Sequence, residues 1–261
     1  MANKVTKLSI LAALSMTSSV AMSHLNIAVE DAIAVGDGAR EYKEGSSAFL
    51  DVNISHDCTN AEGQHFPTVG VTLLLPNGAS VPNTYSEITE DGTVHMANAV
   101  MGIKQRVNPT FAENIVVKGD VEPFYNHGVN TTDARALKWL KGSVDNDHYD
   151  NLEFKANFPK IDPESCVSKI KIYFPSMQYC KAGYKAAWIN TGDSKYGMGD
   201  DKTHVYHDYA ASIDVVRTSE LPTACNGNGD VVEVMPTVEE INMYLDDEHQ
   251  DDKHDNHKHH D

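Results

Sequence analysis

The chain has 261 residues, with 38 acidic against 21 basic side chains and a formal charge of −17. That length supplies a real core for one ordinary to large domain, or for two small ones. So acidic a chain has no electrostatic footprint for nucleic acid and is repelled by anionic lipid, which leaves cations as its natural partners.

Residues 1–23 read as a secretory signal peptide. Lys4 and Lys7 lead into the apolar run from Leu8 to Leu14, a Ser/Thr segment follows, and Ala21-Met22-Ser23 forms a small-x-small exit. The run is far short of the ~20 residues that span a bilayer, so no membrane anchor is expected and the mature protein is periplasmic or secreted. Cleavage after Ser23 makes His24 the first residue and, with Lys4 and Lys7 gone, leaves a charge of about −19. The free α-amine and the imidazole Nδ1 of His24 then close a chelate ring on one metal ion. Copper is best served by nitrogen ligands in a tetragonal arrangement. Ser19-Val20-Ala21 is a competing exit that sets His24 third from the amine. Amine, two amides and imidazole then form a square-planar copper or nickel site.

From Leu25 the pattern has period two: Leu25, Ile27 and Val29 alternate with Asn26, Ala28 and Glu30, as in a half-buried strand. After turn material at Gly36-Asp37-Gly38, a second strand covers 48–54 and runs into the polar loop Ser55-His56-Asp57-Cys58-Thr59-Asn60. A third strand, 69–75, stops at Pro76-Asn77-Gly78. Further β-rich runs lie at 114–118, 136–140, 152–158, 167–174 and 211–216, three strands in all being closed by Pro76, Pro159 and Pro175. Many short strands with turns between them argue for an antiparallel sandwich. The first apolar stripe with helical spacing is 238–245.

After about Thr218 the character changes. Asn226-Gly227-Asn228-Gly229 is a flexible break, and 218–261 reads as an acidic tail, disordered or weakly helical, beyond a sandwich domain of 24–217. Its end carries His249, His254, His257, His259 and His260 among carboxylates, a composition suited to weak, multi-site metal capture. Cys58, Cys166, Cys180 and Cys225 in an exported chain read as two disulfides with three possible connectivities. No C-x-x-C spacing points to a cysteine metal site.

Four stretches share one pattern: His24-Leu25-Asn26-Ile27 at the mature start; Ile54-Ser55-His56-Asp57-Cys58 ahead of the 67–76 strand; Trp139 and Gly142 before Asp147-His148-Tyr149-Asp150-Asn151-Leu152-Glu153-Phe154; and Tyr173-Phe174-Pro175 leading to Cys180 and Ala187-Trp188-Ile189. In their order these resemble the YcnI-like family (the DUF1775 domain) of exported bacterial copper-binding proteins, over roughly His24 to Asn190. The resemblance implies an immunoglobulin-like β-sandwich that binds one copper(II) through a single-histidine brace at the mature N-terminus. Carried onto this chain, the brace is His24, the loop carboxylate is Asp57 and the nearby tryptophan is Trp188. Asp for the family's Glu shortens the arm by one methylene, and His56 stands one residue away as a further ligand. The resemblance also implies a Cys58–Cys180 bridge, with Cys166 and Cys225 as the second pair. The chain departs from the pattern in an insertion between about Tyr85 and Thr132, in lacking Pro-Gly-Trp after the third strand, and in its long extension beyond Asn190.

The function these readings imply is an exported copper(II) carrier or chaperone in copper homeostasis. It is not an enzyme, its cofactor is Cu2+, and its partners are the ion and another exported copper protein. One alternative is a copper-dependent oxidative enzyme of the polysaccharide monooxygenase type, which needs a second histidine. Another is a metal-free structural module. His65, His95, His127 and His148 have surface or core readings, Trp139 reads as core, and His204 and His207 lie in an extended run and point apart.

Overall fold

The structure is a computed structural model that describes residues 26–28, 33–34, 40–60, 62–88, 90, 93–190 and 205–245. The signal segment, His24 and the five tail histidines lie outside the described residues.

Among the described residues fifteen strands, numbered in chain order, form three sheets, and six further two-residue strands pair as three ribbons. The first sheet orders β1 (Asn26–Ala28), β4 (Ser47–Ile54), β9 (Asp150–Asn157) and β6 (Met101–Gln105). The second orders β7 (Glu113–Tyr125), β8 (Val129–Val144), β5 (Thr68–Leu74), β11 (Ser176–Cys180), β12 (Lys185–Asn190) and β13 (Val205–Tyr209). The third orders β2 (Ile33–Ala34), β3 (Arg40–Lys43), β14 (Ala211–Val216), β10 (Val167–Phe174) and β15 (Asp230–Val234). Most pairings are antiparallel; three (β10 with β15, β12 with β13, β14 with β3) are parallel. The chain is therefore the all-β antiparallel sandwich that its short alternating strands imply.

Alternation explains which face each strand buries. In β4, Leu50, Val52 and Ile54 are buried while Phe49, Asp51 and Asn53 face outward, and in β9 Leu152, Phe154 and Ala156 do the same. Val71 and Leu73 of β5, Trp139 of β8, Ile172 of β10 and Val215 of β14 join them in one core shared by all three sheets. Trp139, fully buried, is a core residue.

The Asp133–Trp139 part of β8 is buried throughout, and a helix packs on the neighbouring strands and reaches β8 through Arg135. That helix, α1 (Val238–Leu245), is the segment with helical spacing in the sequence. Thr237 caps it: Glu240 N–H donates to Thr237 Oγ1 at 3.2 Å, and Thr237 N–H donates to the Glu240 carboxylate at 2.7 Å, a reciprocal capping box. Ile241 and Leu245, four apart and buried, pack on Leu74, Met177, Ala187 and Ile189. Each such burial stabilises by roughly 2 kcal/mol. Arg135 pairs with Glu240 and lies 5.2 Å from the Tyr244 ring centroid. The Tyr179 hydroxyl donates to the Leu245 carbonyl at 2.7 Å, which satisfies one of the helix's terminal acceptors.

The chain beyond residue 217 thus does not leave the sandwich at once, as its composition suggests. Cys225 is bridged to Cys166, and β15 then adds to β10 as a parallel edge strand before α1 docks. A covalent tie and a buried helical stripe hold a stretch whose polar, Gly-rich composition alone implies a tail.

Candidate functional site

The loop that leaves β4 is fixed at three points. Ile54 is buried in the core, the carbonyl of His56 accepts from Gln178 Nε2 at 2.9 Å, and Cys58 is bridged to Cys180 at the end of β11. Gln178 is itself buried and also reaches Thr68 Oγ1, so a buried amide joins this loop to the second sheet. Cys58–Thr59 then pairs with His65–Phe66 in a two-stranded ribbon, with Thr59 opposite His65. Asn60 shapes its turn, its Oδ1 accepting the N–H groups of Glu62 at 3.1 Å and Gln64 at 2.9 Å.

The ribbon brings His65 back onto Asp57. Its Nδ1 lies 2.8 Å from Asp57 Oδ1 and 3.2 Å from Thr59 Oγ1. The Asp57 side chain is 1% exposed and that of His65 50%. A carboxylate accepting from Nδ1–H fixes the tautomer with the lone pair on Nε2. Carboxylates orient imidazoles toward metal ions in this way.

The residues named from the sequence fall as follows. Asp57 lies in this loop, buried and hydrogen-bonded. His56 is exposed, its backbone rather than its ring making the contact with Gln178. Trp188, on β12, is 3% exposed and belongs to the same core cluster as Cys58 and Cys180. Both expected disulfides, Cys58–Cys180 and Cys166–Cys225, are present. His207 lies on β13, in the extended run foreseen for it, while His204 lies outside the described residues. His95 packs on Tyr125, and His148 pairs with Asp145 on the surface. Among the described residues no group of three or more His, Cys, Asp or Glu side chains converges as a metal cage.

His65 is the residue that sequence reasoning passed over. Its contact depends on a turn that returns the chain after seven intervening residues, and no spacing rule marks it. The Asn60-x-x-x-Gln64 turn, with Asn60 accepting two backbone N–H groups, is the one local signal.

A family described as a domain of unknown function (DUF1775) matches residues 68–213. A crystal structure of an uncharacterized protein from Nocardia farcinica, described as revealing an immunoglobulin-like fold, is similar at 12% identity, covering 74% of this chain and 98% of that one with a TM-score of 0.37. No curated protein matches the sequence.

Proposed function

We propose a role in copper binding on one premise: the chain belongs to the DUF1775 family. In this reading the protein is exported and carries copper(II) without turnover, as a carrier or chaperone. His24 supplies the α-amine and Nδ1, and Asp57, with His56 and His65 beside it, supplies the loop side of the site. Copper, when bound, acts here as cargo held by nitrogen and carboxylate donors.

The observation that carries the reading is the Asp57–His65 pair. A buried carboxylate held against an imidazole, in a loop pinned by a disulfide, is costly to assemble for a surface turn and suits a preorganised donor set. Two further facts support it. Asn26 pairs with Asn53 at the end of β4 that runs into this loop. His24 precedes Asn26 by two residues, a reach of about 7 Å in extended chain. Trp188 is buried in the same core as the Cys58–Cys180 pair.

The tail histidines act in this reading as weak capture sites. Their segment starts from Leu245, whose carbonyl is tied to Tyr179, next in sequence to Cys180. Tethering at that point raises the local copper concentration near the loop.

One observation bears on the oxidative alternative. That chemistry needs a second imidazole, and His65 offers an outward Nε2. Copper titration followed by electron paramagnetic resonance separates the two. A carrier gives a stoichiometric signal lost in His24→Ala, unchanged by removing 246–261, and no peroxide-driven substrate oxidation. A signal lost with the tail instead contradicts the assignment to His24.

A further inference from the structure

We propose that the outward face of the first sheet carries an anion site, a cleft of about 380 Å³ that binds a phosphate-type oxyanion. It lies between the β3–β4 turn, the bulge in β6, the β7–β8 turn and the end of β9. It shares no residue with the Asp57–His65 loop, so it stands independently of the copper reading.

Three lysines line it and no carboxylate does, in a chain where acidic side chains outnumber basic ones 38 to 21. Lys104 and Lys155 are direct cross-strand partners on β6 and β9. At that register Cβ atoms stand about 5 Å apart, and like charges repel. Lys160 closes the cleft from the Lys160–Ile161 ribbon, its Nζ 5.8 Å from the Tyr85 ring centroid. Among the described residues none of the three has an ion-pair partner. Carboxylates on the adjoining segments are engaged elsewhere. Glu153, on the same face as Lys155, pairs with Arg106 at 3.2 Å; Asp133 accepts the Gly102 N–H from below at 2.9 Å; Glu44 accepts the Ile161 N–H at 2.6 Å. An unrelieved lysine pair of this kind is a cost in the free protein that a bound anion removes.

Neutral donors complete the cleft. Gly102 has φ +60° where the β6 register shifts, and a Cβ there would stand 2.4 Å from Asn126 Nδ2 and 2.8 Å from Asn157 Nδ2. Both amide nitrogens therefore converge over a position that only glycine fills. Ser47 Oγ donates to Asn157 Oδ1, which turns the Asn157 Nδ2 toward Gly102. Lysine ammonium groups are compact point charges suited to phosphate, whereas planar carboxylates favour the arginine fork.

The test uses metal-free protein titrated with inorganic phosphate and, separately, with glycerol phosphate, against chloride at matched ionic strength. Phosphate stabilises folded proteins generally by exclusion from their surface, so the informative quantity is the difference between wild type and the variants Lys104→Gln and Lys155→Gln. Wild type is expected to show saturable one-to-one shifts at the amides of Gly102, Asn126 and Asn157. Each variant is expected to bind about tenfold more weakly or worse, and to melt higher than wild type in chloride because the lysine repulsion is gone. Tighter glycerol phosphate marks an organic phosphate ester as the ligand, and tighter inorganic phosphate marks the free ion; either supports the site. Absence of a saturable shift in wild type, or equal shifts in wild type and both variants, overturns it.

Discussion

Asp57, just ahead of one arm of a short ribbon, and His65, on the other arm, meet at 2.8 Å between Oδ1 and Nδ1, the carboxylate buried and the imidazole half-exposed. The pair turns a loop into a directed donor, because one nitrogen is fixed by the acid while the other faces out. If Asp57 serves the metal either as ligand or by orienting His65, Asp57→Asn keeps the shape and loses the charge. Copper affinity is expected to fall about 10- to 100-fold with the fold intact. Calorimetric titration of the two proteins checks this, and unchanged affinity removes Asp57 from the site.

The two disulfides differ in how much chain they close. Cys58–Cys180 spans 122 residues and Cys166–Cys225 spans 59. In the chain-entropy account, removing either costs about 2–5 kcal/mol, and a doubling of loop length adds only about 0.6 kcal/mol. The paired alanine variants are therefore expected to lose similar stability in urea. They should differ in copper binding, since only the Cys58–Cys180 bridge clamps the Asp57 loop. Equal copper affinities would remove the clamp from the account.

Helix α1 rests on Glu240, which both closes the capping box and pairs with Arg135, a guanidinium side chain only 9% exposed. Glu240→Ala removes the cap and leaves a buried cation unpaired, a loss of about 3–5 kcal/mol when the pair is broken from one side. Arg135→Met combined with Glu240→Ala is expected to recover part of that loss, because the stranded charge is gone. Urea unfolding of the single and double variants decides it: a double variant less stable than the single one contradicts the buried-charge explanation.

The surface pair His148–Asp145, 2.5 Å apart, carries a pH signature. The hydrogen bond that His148 donates to the Asp145 carboxylate holds the imidazole above its ordinary value of 6.5, and the same bond holds Asp145 below 3.8. A raised histidine contributes stability that is full below its unfolded value and is lost as pH rises through the folded one. The lowered carboxylate contributes above its unfolded value and is lost on acidification. Between those limits the pair is intact. Proton resonance titration of His148 is expected to give a midpoint above 6.5 that returns to the ordinary range in Asp145→Asn.

Strands with clean alternation were legible in the sequence. Leu50, Val52 and Ile54, or Leu152, Phe154 and Ala156, announce both strand and inner face. Strand β11 was not, because Ser176 and Gln178 are as buried as Met177 and Tyr179, and their burial depends on distant partners such as the His56 carbonyl. Strand β15 hides for another reason: it pairs only along a sheet edge and is held near β10 by the Cys166–Cys225 tie. Helix α1 showed its apolar stripe, yet Arg135, the buried partner of its Glu240, lies 105 residues away. Of the candidate site, Asp57 and the disulfide partners could be named from motif order. His65 could not, since its approach to Asp57 is set by the tightness of a turn and not by local pattern.

Tight copper binding, as proposed, rests on a free amine and an imidazole on one residue beside the Asp57 loop. The direct measurement is copper(II) affinity of the chain beginning at His24 with its α-amine free, set against the same chain with that amine acetylated, both ending at Leu245 so that the tail histidines take no part. One tight equivalent is expected in the first, weakening as pH falls below about 8 and then about 6.5 as amine and imidazole take up protons, and loss of that tight equivalent is expected in the second. Equal tight binding by the two chains contradicts it.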